Sequence, residues 1–162
     1  MKEQLIFSEL ASEQFIFSEL APERLLEALS LIRNVFLEYE APEYSSEGVQ
    51  EFINFIEPEA IKKMQVERNM RIWTCDCDGQ IVGALAARET HIHLLFVSGQ
   101  YHRRGIARQL FNLMLKFFNP SEVTVSASPY ALEAYRRLGF DCTDTEQTVN
   151  GLRFTPMKYF RL

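Results

Sequence analysis

The sequence predicts an α+β domain with a mixed, mostly antiparallel sheet of about seven strands flanked by about four helices. Three observations carry this. Asp78-Gly79 and Asn150-Gly151 are strong two-residue hairpin signals beside β-prone runs. Segments 22–40 and 106–118 place apolar residues at helical spacing. No Pro/Gly/Ser-rich linker divides the 162 residues, a length that suits one domain with a sizeable core.

The elements follow in order. Residues 4–13, QLIFSELASE, are nearly repeated by residues 14–23, QFIFSELAPE, with eight of ten positions identical. Two copies of so short a unit make no solenoid. Phe15–Leu20 reads as the first strand, and residues 1–13 as a duplicated extension to a single domain at 14–162. Pro22–Glu40 reads as a helix with Leu25, Leu26, Leu29, Ile32, Val35 and Phe36 on one face, ended by Ala41-Pro42. Ser45-Ser46-Glu47 starts a second helix, and Ala60–Arg68 forms a short third. Arg71–Cys77 and Gln80–Glu89 are hairpin strands, and His91–Val97 follows as a short apolar run expected to be buried on both faces. Ile106–Phe118 is an amphipathic helix, Glu122–Ala127 a strand, and Pro129–Leu138 a helix stopped by Gly139. Phe140–Cys142 and Arg153–Tyr159 complete the strands, with Asn150-Gly151 as their turn.

Composition removes several classes of function. A net charge of −5 argues against a general nucleic-acid or anionic-membrane surface. No apolar run reaches the ~18–20 residues that span a bilayer. The N-terminus lacks a signal-peptide pattern, so a cytoplasmic protein is expected. Three cysteines, with Cys75 and Cys77 in a strand, suggest neither a disulfide framework nor a metal site. They read as small buried residues.

The informative stretch is 91–118: strand, basic glycine-containing turn, helix. A helix start leaves backbone N–H groups unpaired and carries partial positive charge. Gly105 lets a ligand approach the backbone, Ala107 is nearly as small, and Arg103, Arg104 and Arg108 add cationic charge. Together they suggest a diphosphate pocket. Glu89, His91 and His93 fall beside this segment as candidate proton acceptors.

Two motifs then point to a family. Val97-x-x-x-Tyr101-His102-Arg103-Arg104-Gly105-Ile106-Ala107 resembles the acetyl-CoA signature Q/R-x-x-G-x-G/A of GNAT N-acetyltransferases. Ala131-x-x-x-Tyr135-x-x-x-Gly139-Phe140 is similar to the same family's later helix end. The resemblance extends from Phe15 to Leu162, with His102 standing where Gln or Arg is usual. It implies the GNAT acyl-CoA acyltransferase fold and acetyl-CoA as co-substrate. The pantetheine arm would lie on backbone groups of Leu95, Phe96 and Val97, and the pyrophosphate on His102, Arg103, Arg104, Gly105, Ile106, Ala107 and Arg108. Ser128 would stand near pantetheine. The Leu95 N–H would serve the oxyanion, Tyr135 would protonate the leaving thiolate, and Glu89 or His93 would act as base.

The implied reaction is direct attack of a primary amine on the acetyl group in a ternary complex. The acidic balance leans toward cationic acceptors such as polyamines, aminoglycosides or lysine side chains. A non-catalytic acyl-CoA-binding or sensor domain on the same fold is the alternative, against which retention of Tyr135 argues. A homodimer is one assembly the resemblance implies. A protein lacking Met1–Glu13 should fold and retain activity, as circular dichroism and an acetyl-transfer assay would reveal.

Overall fold

The structure, a computed structural model, describes residues 13–161. The first repeat therefore lies outside the described residues except for Glu13. Strands β1 (Phe15–Glu19), β2 (Arg71–Cys77), β3 (Gln80–Arg88) and β4 (His91–Val97) form an antiparallel meander. Strands β5 (Glu122–Ala127), β6 (Asp141–Cys142), β7 (Gln147–Val149) and β8 (Leu152–Phe160) complete the eight strands. The path is β1-β2-β3-β4-β5-β8-β6, with β7 paired to β8 and β4–β5 parallel.

Helices α1 (Leu25–Val35), α2 (Ser46–Phe55) and α3 (Pro58–Arg68) cover one face, where Leu29, Ile32, Phe36 and Ile61 pack on Leu94 and Phe96. Helices α4 (Ile106–Phe118) and α5 (Leu132–Leu138) cover the other, where Leu110, Phe111, Met114 and Leu138 pack on Trp73, Val123 and Met157. The α+β class and the mixed sheet agree with the sequence.

Four details differ from expectation. Leu26, expected on the inward face of the first helix, is 67% exposed, because one residue beyond Leu25 it is turned about 100° off the buried stripe. The segment 22–40 is not one α-helix. A 3-10 turn at Pro22–Arg24 precedes α1, and a π turn at Phe36–Glu40 follows it, with the Ala41 N–H bonded to the Phe36 carbonyl five residues back. Asn150-Gly151 turns β7 into β8, because a three-residue strand too short to show in the sequence pattern intervenes after Cys142. Strand β4 is not buried on both faces: His91, His93, Leu95 and Val97 are half-buried, in alternation with buried Ile92, Leu94 and Phe96.

The pairing of β4 is the feature that shapes the molecule. Ala86 pairs Leu94 and Ala87 pairs Ile92, so His93 is an extra, bulged residue. The bulge reverses the facing of the strand. Ile92 packs with the α4 side, whereas Leu94 and Phe96 pack with the α1 side. On its other edge β4 pairs β5 only at His91–Thr124 and Ile92–Val125. Beyond Ile92 the two strands part.

The β7–β8 turn closes on the start of α2. Ser45 caps that helix by accepting from the Gly48 N–H at 3.2 Å. A Cβ at Gly48 would overlap the Gly151 carbonyl. A glycine-to-alanine change inside a helix ordinarily stabilises by up to ~1 kcal/mol. Here the steric overlap should win, because backbone rather than a pliable side chain must yield. Gly48→Ala is expected to destabilise the protein by about 1–2 kcal/mol, read as a lower urea midpoint at unchanged m-value.

Candidate active site

Where β4 leaves β5 a cavity of about 260 Å3 opens, walled by both strands, the π turn, α2 and β8. Backbone direction in the gap follows from two bonds. The Ser98 N–H donates to the Val82 carbonyl on β3 at 2.8 Å. Alternate residues of a strand aim their backbone groups the same way. Phe96 therefore faces β3 with its N–H and C=O, while Leu95 and Val97 face the gap. The Val97 carbonyl there is met by His102 Nε2 at 2.7 Å. Of the three residues expected to offer backbone groups to a ligand, Phe96 is thus turned away. Its side chain lines the cavity instead.

The basic turn follows β4. Ser98 leads into a 3-10 turn at Gly99–Tyr101, then Arg103 at φ 64° and Gly105 at φ 77° bring the chain into α4. Glycine suits the second of these positions because it enters the left-handed region without a Cβ penalty. Among the described residues no side chain caps α4, and no acidic residue occupies its first turn, so the N–H groups of Ile106 and Ala107 face an anion without a side-chain competitor there. The three arginines are not equivalent. Arg104 pairs with Glu13 and lies over the Tyr101 ring, and Arg108 donates to the Arg137 carbonyl at 2.6 Å. Arg103 has no side-chain ion pair or hydrogen bond among the described residues.

Inside the cavity three polar groups converge from separate elements. Glu40 comes from the π turn and is 8% exposed, Ser128 from the end of β5 at 7%, and Tyr135 from α5 at 6%. Burial raises the Glu40 carboxyl to about 7, with the Ser128 hydroxyl pulling the other way and Glu43 adding a smaller upward push. No cation pairs with Glu40 among the described residues, in contrast to buried Asp76, which Arg24 grips at 2.7 and 2.9 Å. Burial, reinforced by the Glu40 charge, also drives the Tyr135 hydroxyl well above the usual phenol range. Ser128 Oγ accepts from the Ala131 N–H at 3.1 Å, which fixes the approach to α5.

The expected bases fare differently. Glu89 sits exposed at φ 51° in the turn between β3 and β4, off the cavity wall. The strand ends at Arg88, so alternation does not carry Glu89 inward. His91 and His93 do line the cavity, their rings 4.8 Å apart. His91 Nδ1 meets Thr124 Oγ1 at 2.8 Å. Burial lowers His93 to about 4, which makes it a weak proton acceptor at neutral pH. Its buried Nε2 has no hydrogen-bond partner among the described residues.

Glu40 is the residue that sequence reading passed over. The signal was present: it stands four residues after Phe36, on the same stripe that begins at Leu25 and Leu29. A carboxylate that extends an apolar stripe has been carried into the protein, not onto its solvated face. Among the described residues no His/Cys/Asp/Glu group could hold a metal ion, and no helix is long and apolar enough to cross a membrane.

Comparison with known proteins agrees with this geometry. The chain is 37% identical over 70 residues to an uncharacterized N-acetyltransferase, YafP, of Escherichia coli strain K12. That match covers 43% of this chain and 45% of the relative, so the chain spans under half of that protein's length. A PaiA N-acetyltransferase from Thermoplasma acidophilum, solved with coenzyme A, superposes with a TM-score of 0.75 at 16% identity, covering 91% of this chain and 99% of that one. A GCN5-related N-acetyltransferase structure from Rhodopseudomonas palustris gives 0.74 at 20% identity, covering 90% and 95%. Identities this low speak to the fold. The acetyltransferase (GNAT) domain itself matches residues 40–160, from the buried carboxylate through the splayed strand and the glycine turn to the last long strand, and the chain belongs to the GNAT acetyltransferase family.

Proposed function

We propose that the protein moves the acetyl group of acetyl-CoA to a primary amine, by direct attack within a ternary complex. The observation that carries this is the convergence of Glu40, Ser128 and Tyr135 in the gap where β4 parts from β5. The residues present fit the co-substrate. Leu95 and Val97 turn backbone groups into the gap, as a pantetheine amide requires, and α4 begins with unpaired N–H groups beside Arg103. A purely binding domain has no use for a buried carboxylate and a buried phenol at the end of that track.

Each residue has one task. The N–H groups at the start of α4 and Arg103 hold the diphosphate. Leu95 offers its N–H where oxyanion charge develops. Glu40, as carboxylate, takes a proton from the attacking amine. A carboxyl raised to about 7 is matched to this work near neutral pH, which neither exposed Glu89 nor weakly basic His93 is. Tyr135 stays protonated across the working range, so its hydroxyl remains a donor toward the leaving sulfur.

Tyr135→Phe should lower kcat by roughly 10²-fold while KM for acetyl-CoA moves less than about threefold, measured by thiol release. Unchanged turnover would remove Tyr135 from the chemistry.

Glu40 links activity to stability with opposite signs. Its carboxyl is about 7 when folded against 4.5 as its reference value. The folded state thus binds more protons between those values, and stability falls as pH rises through that window. Above pH 7 the buried charge costs about 3 kcal/mol. Glu40→Gln should abolish the rise of kcat/KM with pH centred near 7. The same variant should raise Tm at pH 8 by about 6–12 °C, with little change at pH 4. A wild-type profile without that inflection would sink the assignment.

A further inference from the structure

The acceptor side of the cavity is largely aromatic. Phe52 stacks on Phe36 with ring centres 3.8 Å apart and leans on Phe96 at 5.7 Å. Phe55 faces His93 at 5.9 Å, the two rings only 26° from parallel. Phe154 of β8 and Tyr44 complete the wall. The ionisable groups that face the cavity are few. Glu51 and Arg153 lie where β8 meets α2; Glu146 pairs with Arg153 at 3.1 Å, whereas Glu51 meets only the neutral Asn150 amide, at 3.5 Å. Burial keeps His91 and His93 neutral and the phenols of Tyr44 and Tyr135 protonated. Glu40 and Glu51 are the carboxylates of the lining with no cationic partner among the described residues, and Glu40 is the buried one. It stands at the end that also holds Tyr135.

Such a lining discriminates by charge number. A polyamine or an aminoglycoside carries several ammonium groups, and those beyond the two that Glu40 and Glu51 could meet would be set against phenyl rings and neutral imidazoles without a counter-charge. A flat apolar body meets the same surface favourably, because offset and edge-to-face ring contacts add to the burial of its area. His93 supplies one further cue. Its buried Nε2 has no partner among the described residues, and His93 lies on the wall that such a body would touch.

We propose that the acceptor is a compact primary monoamine with an aromatic body, its amine directed at Glu40, its ring between Phe55 and Phe52, and a polar ring substituent hydrogen-bonded to His93 Nε2. This rests on the acetyltransferase reading and narrows its substrate class, away from the polycationic acceptors that overall charge suggests. Transfer is balanced within that reaction: the amine nitrogen bonds the acetyl carbon, the carbon–sulfur bond breaks, Glu40 receives the amine proton and the thiol leaves protonated.

The test uses the full chain with acetyl-CoA and five probes: tyramine, phenethylamine, spermidine, kanamycin and an N-acetyl-lysine amide. Thermal shift with coenzyme A alone is run in parallel. Expected is a kcat/KM for tyramine at least tenfold above those for spermidine, kanamycin and the lysine amide, and severalfold above that for phenethylamine. Phe55→Ala should raise KM for tyramine about tenfold with KM for acetyl-CoA unchanged. Should that variant fail to fold, His93→Gln should erase the preference for tyramine over phenethylamine. A preference for spermidine, kanamycin or the lysine amide overturns the inference and leaves the acetyltransferase intact. Coenzyme A stabilisation without turnover or calorimetric binding of either arylalkylamine also overturns it. Absence of any coenzyme A shift would bring down the cofactor reading beneath it.

Discussion

The site exists because β4 and β5 cannot both keep their outer partners and stay paired with each other. Strand β4 follows β3 as far as Gly83–Val97, and β5 follows β8 along its whole length, from Glu122–Phe160 to Ala127–Thr155. Between them only two residue pairs survive. Backbone N–H and C=O groups inside a protein need partners, so a parted sheet is an unfinished one. Its missing ladder can be supplied by any molecule with amides at the right spacing. The His102 ring meets part of that demand by holding the Val97 carbonyl. The bulge at His93 completes the arrangement, because it turns Leu95 and Val97 toward the gap while keeping Leu94 and Phe96 in the core under α1.

A buried, unpaired carboxylate in such a cleft is unfavourable for the fold, and the surroundings indicate why it is kept. Asp76, buried to the same degree, has a bidentate arginine and Glu40 has none. A guanidinium beside Glu40 would stabilise its charged form and remove its basicity near neutral pH. The π turn holds the carboxylate at the gap: Phe36, one turn earlier, is locked against Phe52 and Tyr44. Wide helical turns of this kind collect at functional sites for that reason.

Most of the architecture was legible in the sequence, since hairpin dipeptides and helical periodicity are local signals and this sheet is built largely from neighbours in sequence. The glycine turn and Tyr135 were legible too, as motifs with fixed internal spacing. What stayed hidden depended on register. Glu89 read as a strand residue because nothing local marks Arg88 as the last paired position, and the bulge at His93 leaves no compositional trace. Glu40 was passed over among many glutamates because solvated acidic residues are the rule on helices. Its position on the Leu25–Phe36 stripe was the discriminating fact. The basic cluster misled in a different way: three arginines close in sequence point to three different partners in space.

That last point changes what carries the anion end of the site. With Arg108 tied to the Arg137 carbonyl, its role is to tie α4 to the end of α5, the helix that bears Tyr135. Arg104 faces the carboxylate of Glu13, so an incoming diphosphate would compete with that pairing. The fixed attraction is then left to the N–H groups at the start of α4 and to Arg103, held by a left-handed backbone at both Arg103 and Gly105. Backbone donors do not rearrange when the ligand arrives, whereas long side chains lose rotamer freedom on binding. In the proposed reaction, backbone donors at one end and the buried Glu40 carboxylate at the other would give each substrate one direction of entry and bring the acetyl carbon and the amine nitrogen together between Tyr135 and Glu40.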